Sequence, residues 1–312
     1  MLVPQECLIS IIIATYNRSE SLRTTLYSLL QLDRDGPFDY EVIVADNNSS
    51  DATRAVVESL RSEFQGRLKY LFEPRQGKSY ALNQALAECR GEVIAFTDDD
   101  CIVEKNWLTH IHQVFTTRDI DWLGGKLIPI FQSPKPEWMD LKRYKSPLVS
   151  FNLGDQYLED NHQRKILPIG ANMAVKRESY RRLGGFSFEG RSQDTEFIYN
   201  WLNGGAKFAY SPSVLVYHTT PPDRLTKNYL RKYYFLAGKN YSLLFKEECT
   251  RGRRFLGISL WVYRQFCLSV LRFCKGLVSF DKNNFWNETR IYRYLGMMYG
   301  TLGLKTNFEN LR

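Results

Sequence analysis

The chain is 312 residues long, and 44% of its residues are hydrophobic. This composition is enough to bury one large core or two modest ones, which excludes a disordered tail. The formal net charge is +8, but from Arg224 onward there are 17 Lys and Arg against 5 Asp and Glu. The excess positive charge therefore belongs to the C-terminal part of the chain.

The six cysteines form no C-x-x-C pair, and the chain does not open with a basic segment followed by an apolar run. This pattern is typical of a reduced, cytosolic compartment. The longest apolar run, residues 255–271, is interrupted by Arg264. Because a membrane-spanning helix needs ~20 apolar residues, a simple crossing of the bilayer is not expected.

The first hundred residues alternate short β-branched runs with segments of helical periodicity. The predicted strands cover residues 8–14, 41–45, 69–72 and 92–96. Between them, apolar residues recur at helical spacing behind Ser, Asp and Gly residues that are typical of helix starts. This order predicts the α/β class, with an open, mostly parallel sheet and helices on both faces. A ligand of such a sheet binds beyond the carboxyl ends of the strands.

The alternation fades beyond the fourth strand. Residues 129–147 contain several prolines and predict a long connection. Two more strands are expected at residues 166–175 and 206–216, with a helix at residues 194–202 between them. After Pro222 the sequence becomes helical, basic and aromatic.

Three carboxylates, Asp98, Asp99 and Asp100, follow the fourth predicted strand. Side chains alternate along an extended chain, so Asp98 and Asp100 are expected to project the same way. Adjacent carboxylates repel one another, and keeping all three ionised at a buried strand end requires a cation. Such oxygen ligands suit Mg²⁺ or Mn²⁺ together with phosphate oxygens. A solvated acidic turn or a helix cap is the alternative.

Two other strand ends carry polar residues that suit a nucleotide. Residues 15–18 (Thr-Tyr-Asn-Arg) offer an aromatic face for a base and donors for phosphate. Residues 46–51 (Asp-Asn-Asn-Ser-Ser-Asp) offer acceptors for a base N–H. Turn chemistry and helix capping would explain either segment equally well. The chain has neither G-x-G-x-x-G after its first strand nor a P-loop, so dinucleotide and P-loop sites lose their main support.

Seven segments, in order, resemble the pattern of glycosyltransferase family 2. They are the opening strand with T-Y-N-R (residues 11–18), V-x-D-N-x-S-x-D (44–51), G-K-x-x-A-x-N (77–83), D-x-D (98–100), G-A-N-M-A (170–174), G-G-F (184–186) and D-T-E (194–196). The resemblance covers residues 8–240. It implies the GT-A fold, in which one α/β domain has a nucleotide half and an acceptor half.

The resemblance also implies roles for individual residues. Asp46 would contact the nucleobase, expected to be uracil, and Asp194 would be the catalytic base. Asp100 would be the leading metal ligand, with Asp98, near the ribose, and His218 as further candidate ligands for Mn²⁺ or Mg²⁺. The other implied nucleotide-sugar contacts are Thr15, Tyr16, Asn17, Arg18, Asn48, Gly77, Lys78, Asp99 and Asn172.

Three of these assignments have open points. His218 can equally be a structural histidine in a loop, and Asn172 can be an ordinary turn amide. Family members usually have Glu before the catalytic base, whereas this chain has Gln193. That departure removes a supporting carboxylate but leaves Asp194 itself in place.

The resulting hypothesis is an inverting glycosyltransferase that moves a sugar from a nucleoside diphosphate, expected to be UDP, to a hydroxyl acceptor. The acceptor would be a carbohydrate or a lipid-linked sugar in polysaccharide, glycolipid or cell-envelope glycan synthesis. The expected divisions are a nucleotide-sugar-binding half (residues 1–105), an acceptor and catalytic-base half (106–222) and a basic amphipathic helical region (223–312). The alternatives are a metal-dependent nucleotidyltransferase and a catalytically silent nucleotide-binding module. Residues 14–19 lack the glycine-rich loop of the former.

The C-terminal region combines a basic cluster at residues 251–254 with apolar and aromatic residues up to Leu271. Interfacial helices have this composition, so an anionic membrane surface is one predicted partner. A helical pair packed on the catalytic domain, or a homo-oligomer contact through these helices, is the rival interpretation. Nucleic acid is not an expected partner, because no recognisable binding motif is present. The expected location is the cytoplasm, peripheral to the inner face of the plasma membrane.

Overall fold

The computed structural model describes residues 7–33, 36–160, 166, 168–186, 201 and 203–304. By its contacts the chain splits into two compact units. The first unit is formed by Met1–Ile130 and Val149–Thr219, and the second by Phe131–Leu148 and Thr220–Arg312. The predicted connection at residues 129–147 thus belongs largely to the second unit.

The first unit is built around one sheet with helices on both faces. Its strands are β1 (Cys7–Thr15), β2 (Phe38–Asp46), β3 (Leu68–Phe72), β4 (Val93–Thr97), β5 (Cys101–Val103), β6 (Trp122–Phe131), β7 (Leu158–Glu159), β8 (Asn172–Lys176) and β9 (Phe208–Thr220). Its helices are α1 (Ser19–Leu30), α2 (Thr53–Leu60), α3 (Lys78–Glu88), α4 (Trp107–Thr117) and α5 (Arg177–Leu183). The α/β class and the four N-terminal strands are confirmed. The helix predicted at residues 194–202 lies outside the described residues, apart from Trp201.

The strand order is β3-β2-β1-β4-β8-β6-β9-β5, with β7 paired to β9. Strands β1 to β4 are parallel, whereas β8 is antiparallel to β4 and to β6. Thr15 is in register with Asp46, and Asp46 with Phe72. The carboxyl ends of the parallel strands therefore meet at one edge of the sheet, which is where such sheets bind their ligands.

The alternation of side chains along β1 divides the core between the two faces of the sheet. Ile9, Ile11 and Ile13 belong to one buried cluster, which includes apolar residues of α1, α2 and α4. Ile12 belongs to the other cluster, which includes the alanines and leucines of α3. Because both faces are covered by helices, the strands consist of almost continuous apolar residues.

The chain passes directly from β4 to β5 through the three acidic residues. Thr97 ends β4 and Cys101 begins β5. In the sheet, however, four pairing steps separate these two strands, through β8, β6 and β9. Cys101 pairs with His218 of β9. This topology brings a strand from the far side of the sheet to the acidic segment.

The second unit is mainly helical. Its helices are α6 (Lys227–Leu244), α7 (Lys246–Thr250), α8 (Leu260–Val278) and α9 (Asn284–Thr301), preceded by a 3₁₀ turn (Pro222–Leu225), and its short hairpin is formed by β10 (Arg254–Phe255) and β11 (Ile258–Ser259). Met139, Tyr144 and Leu148 are buried with Leu230 and Phe285. The segment predicted to be a connection thus supplies core residues. Within the part of the chain that the structure describes, no helix combines the length and apolar character needed to cross a membrane.

Helices α6 and α9 approach each other at glycines. A Cβ built on Gly238 would lie 1.9 Å from the carbonyl oxygen of Arg293. A Cβ built on Gly296 would lie 1.9 Å from the carbonyl oxygen of Phe235. Any side chain at either position would force the two backbones apart, so the absence of Cβ atoms sets the distance between these helices.

Candidate active site at the strand ends

The acidic segment lies in a turn between β4 and β5, and each of its carboxylates has a different set of partners. Asp98 accepts a hydrogen bond from Nζ of Lys78 at 2.7 Å. Asp99 and Asp100 share Nη1 of Arg18, at 3.0 Å from each. The sequence predicted that Asp98 and Asp100 would project together, as in an extended strand. In the structure the segment forms a turn, and Arg18 contacts both Asp99 and Asp100.

Burial changes the ionisation of this cluster. Asp99 is 5% exposed, and burial raises its pKa to about 6, although the charge of Arg18 opposes the shift. Thr15 also donates to Asp99, at 2.7 Å. Burial alone would lower the pKa of Arg18, but the charges of Asp99 and Asp100 raise it overall. Arg18 thus supplies positive charge that offsets the charge of these two buried carboxylates.

Asp100 and His218 lie side by side at the end of the sheet. Nε2 of His218 is 3.1 Å from Oδ1 of Asp100. One ligand atom each from Asp100, Cys101 and His218 lie within 4.8 Å of one another, and all three residues are buried. The histidine is placed there because β9 pairs with β5 in the register that sets His218 opposite Cys101. Nδ1 of His218 has no hydrogen-bond partner among the described residues.

The donor chemistry of this group suits a hard divalent cation. Carboxylate oxygen and imidazole nitrogen are both ligands that Mn²⁺ accepts. Burial raises the pKa of the Cys101 thiol well above its ordinary value. Because only the thiolate is a good ligand, Cys101 is expected to remain a neutral neighbour. Within this group, Asp100 and His218 are therefore the side chains that fit a metal role.

The loops after β1 and β2 hold each other. The side-chain oxygen of Asn17 accepts from the backbone N–H of Ser50 at 2.7 Å, and the Ser49 hydroxyl accepts from the N–H of Asn17 at 2.8 Å. Asn17 and Asn48 both have positive φ, 51° and 65°, a conformation that asparagine tolerates. Turn chemistry is thus present here, as the alternative interpretation expected. These two loops lie at the edge of the sheet, where the Tyr16 side chain is 37% exposed.

Asp46 is positioned by a contact that the sequence did not indicate. It is 2% exposed and accepts from the hydroxyl of Tyr70 at 2.6 Å and from the N–H of Ser49 at 3.0 Å. Burial, together with this hydrogen bond, raises the pKa of Tyr70 above its ordinary value. Tyr70 therefore stays a neutral donor that orients Asp46.

Asn47 lies in the predicted segment 46–51, but the sequence did not indicate its individual role. Its side-chain oxygen accepts from the N–H of Gly77 at 2.7 Å, and its amide donates to the carbonyl of Arg75 at 2.6 Å. Gly77 has φ of 137°, outside the range that residues with a Cβ readily adopt. Asn47 thus fixes the loop that presents Lys78 to Asp98. Its position between two predicted contacts was the available signal.

Asn172 is fully buried at the start of β8. Its oxygen accepts from Nε1 of Trp107 at 2.9 Å, and its amide donates to the carbonyls of Lys126 and Val214 at 3.0 and 2.9 Å. These bonds tie α4, β6 and β9 to β8. A contact of Asn172 with a sugar stays a prediction. The predicted base Asp194 and the neighbouring Gln193 lie outside the described residues.

Comparison with known proteins identifies this fold and strand-end cluster as those of a nucleotide-sugar-dependent glycosyltransferase of the GT-A class that serves glycan synthesis. Residues 10–184 match the family model described as "Glycosyl transferase family 2". That match covers more than half of the chain, and the chain belongs to this family. Membership favours sugar transfer over the nucleotidyltransferase alternative.

Individual proteins show the same likeness over nearly the whole chain. The succinoglycan biosynthesis protein ExoM of Rhizobium meliloti is 29% identical over 309 residues, which cover 97% of this chain and 96% of that protein. Two solved structures share the fold. The mannosyltransferase PcManGT from Pyrobaculum calidifontis, in complex with GDP-Man and Mn²⁺, has a TM-score of 0.62 at 18% identity and covers 94% of this chain and 87% of its own. S. aureus TarS in complex with UDP-GlcNAc has a TM-score of 0.53 at 17% identity, with coverage of 96% and 93%.

Proposed function

We propose that this enzyme transfers a sugar from a UDP-linked donor to a hydroxyl group of a carbohydrate or lipid-linked acceptor, with inversion at the anomeric carbon. The observation that carries the proposal is the pairing of Asp100 with His218 at 3.1 Å, beside the strand end where Thr15 is in register with Asp46. One edge of the sheet thereby offers a place for a cation and a place for a base. A nucleoside diphosphate needs both.

The donor pocket follows from the same geometry. In the proposed complex, Asp46 accepts from the N–H of the nucleobase while Tyr70 keeps its carboxylate oriented. Tyr16, exposed at the strand edge, offers its ring to the base. Arg18 and Lys78 lie against the carboxylates in the protein without ligands, and we propose that the donor's diphosphate attracts both. The remaining predicted contacts, Asn17, Asn48, Gly77, Asp98, Asp99 and Asn172, belong to this proposal.

Asp100 and His218, with Asp98 as a third candidate, would hold Mn²⁺ or Mg²⁺. The solved PcManGT complex contains Mn²⁺, which supports a divalent ion here without choosing between the two. When bound, the cation neutralises charge on the departing diphosphate. We propose Asp194 as the residue that takes the proton from the acceptor hydroxyl, which typically contributes ~10² to 10⁴ in rate. The division into a donor half at residues 1–105 and an acceptor half at residues 106–222 remains part of this proposal.

The relative from Rhizobium is a succinoglycan biosynthesis protein, and succinoglycan is a polysaccharide, which supports a carbohydrate acceptor.

We also propose that the enzyme acts at the cytoplasmic face of a membrane. All six cysteines lie in the described part of the chain and are free, as expected in a reducing compartment. The basic C-terminal region supports contact with anionic lipid.

The test is release of UDP from a panel of UDP-sugars, with and without Mn²⁺ or Mg²⁺, in the presence of candidate acceptors. The Asp194→Asn variant should lose on the order of 10² to 10⁴ in kcat while its UDP affinity stays unchanged. Asp155→Asn is the matched control, because the Asp155 side chain is 88% exposed and its partner is Lys126. Full activity of Asp194→Asn would remove that residue from the mechanism. Failure of every UDP-sugar to bind or turn over would overturn the choice of donor.

A further inference from the structure

Two bulky apolar side chains project into solvent at the two ends of α8. Leu256 is 70% exposed and Phe280 is 90% exposed. Both have left-handed backbone conformations, with φ of 47° and 52°. Glycine is favoured there because it has no Cβ, and asparagine is tolerated because its short polar side chain can hydrogen-bond locally. Neither backbone preference nor burial in the described structure accounts for a leucine and a phenylalanine at these sites.

Leu256 forms the tip of the hairpin between β10 and β11. With Gly257, at φ of 79°, it makes a two-residue turn in which both φ angles are positive. Turns of this kind prefer Asn-Gly. Phe255, on the strand beside the tip, is also 59% exposed. Its ring packs only on Tyr263 of α8 among the ring contacts described, at 5.9 Å. The hairpin therefore presents apolar side chains where polar ones are usual.

Helix α8 has one covered face and one open face. Val262, Ser269 and Gly276 recur every seven residues and are buried. Asn284 at the start of α9 donates to the carbonyl of Phe273 at 2.9 Å, which ties the two helices together. The open face also carries an apolar stripe at helical spacing, formed by Leu260, Cys267, Leu271, Cys274 and Val278. Val278 is 82% exposed and Leu271 is 64% exposed.

The charge around this surface has one sign. Residues 251–282 contain seven Lys and Arg but only one acidic residue, Asp281. All seven basic side chains are exposed: Arg251, Arg253, Arg254, Arg264, Arg272, Lys275 and Lys282. On the helical wheel Arg264 and Lys275 lie next to the apolar stripe. This surface thus combines exposed apolar side chains with exposed positively charged side chains.

We propose that the open face of α8 and the two tips, Leu256 and Phe280, dock on an anionic lipid bilayer with the helix lying in the plane of the interface. The inference rests on the membrane location proposed above and assigns the surface responsible. Nineteen residues make a contact about 28 Å long. A second copy of this chain fits poorly, because a two-fold interface would place this positive surface against itself. Exposed apolar side chains at both ends favour lipid over nucleic acid.

Sedimentation of the full chain with lipid vesicles tests this surface without any sugar nucleotide. Binding to mixed phosphatidylcholine–phosphatidylglycerol vesicles should exceed binding to pure phosphatidylcholine vesicles, by about fivefold for each Lys or Arg engaged. The double variant Leu256→Asn/Phe280→Asn should bind the mixed vesicles at least roughly tenfold more weakly. Its Tm should not fall, since asparagine suits the left-handed conformation. Tyr27→Asn is the control, because Tyr27 is 46% exposed on α1 of the first unit.

The outcomes separate this surface from the catalytic proposal. UDP release from a soluble acceptor, measured without vesicles, should be unchanged in the double variant. Equal vesicle binding by the double variant and the unmodified chain would overturn the inference, as would no binding by the unmodified chain. A dimer in light scattering that becomes a monomer in the double variant would also overturn it and assign this face to a second copy.

Discussion

Replacing His218 with glutamine should remove most of the stabilisation that Mn²⁺ gives this enzyme. The side chain of His218 is 2% exposed, and its Nε2 lies 3.1 Å from Asp100. With Asp98 as a third candidate, these two residues are the proposed protein ligands of the ion, so the variant would lose one of them. Loss of a ligand is expected to weaken ion binding by at least the ~100-fold that even a supporting residue can contribute.

That loss of affinity converts into a measurable change in stability. At a saturating Mn²⁺ concentration, a hundredfold weaker affinity lowers the ion's contribution to the free energy of unfolding by about 2.7 kcal/mol. For a domain of this size the Mn²⁺-induced rise in Tm should shrink by roughly 5–10 °C. Differential scanning fluorimetry of the metal-free protein, titrated with MnCl₂, measures this shift directly and requires no knowledge of the acceptor.

His110→Gln on α4 is the matched control, because His110 is a half-buried histidine of the same unit outside the candidate site. It should leave the Mn²⁺ shift intact. An unreduced shift in His218→Gln would refute the assignment of His218 as a ligand. An equal reduction in both variants would show that the effect is a general loss of stability and would refute the reasoning from the Asp100–His218 pair.

Two further predictions concern stability. Burial raises the pKa of Asp99 from 3.8 to about 6, so its stabilising contribution in the metal-free protein is complete below the ordinary pKa and is lost as the pH rises through 6. Between pH 4 and pH 8 this costs about 2 kcal/mol. The Asp99→Asn variant should flatten the pH dependence by that amount in urea unfolding with EDTA, and an unchanged slope would contradict the pKa shift. Gly296→Ala should lower the free energy of unfolding, because its Cβ would lie 1.9 Å from the carbonyl oxygen of Phe235 and overpacking of about 1–3 kcal/mol outweighs the ~1 kcal/mol gain in helix propensity. A chemical-denaturation midpoint equal to or above that of the unmodified chain would show that α6 and α9 separate freely.

The elements that local sequence patterns encode were predictable. A few consecutive residues are enough to predict strands β1 and β2 and the acidic segment after β4. Runs of β-branched residues indicate a buried strand, and adjacent aspartates indicate a charge cluster. The placement of ligand-site residues at neighbouring strand ends then follows from the parallel order of the sheet. Asp46 and Asp100 are predicted to lie at this edge of the sheet on these grounds.

Features that depend on contacts between distant residues were not predictable. Tyr70 reads as an ordinary strand residue, and its hydrogen bond to Asp46 exists only once β2 and β3 pair. The prolines around Tyr144 predict a connection, yet Tyr144 is buried with residues about 80 to 140 positions further along the chain. Both contacts depend on tertiary packing, which the local pattern of a single sequence does not indicate.

The short acidic passage between β4 and β5 has a mechanical consequence for the shape of the sheet. In a flat sheet, four strand spacings would hold β4 and β5 about 19 Å apart, whereas the chain from Thr97 to Cys101 can stretch at most about 14 Å. The sheet must therefore curl, and the three aspartates form the tether that spans the curl, while the pairing of β5 with β9 sets His218 beside Asp100. Their number is consequently constrained by length as well as by charge, because a shorter tether would require a tighter curl of the sheet.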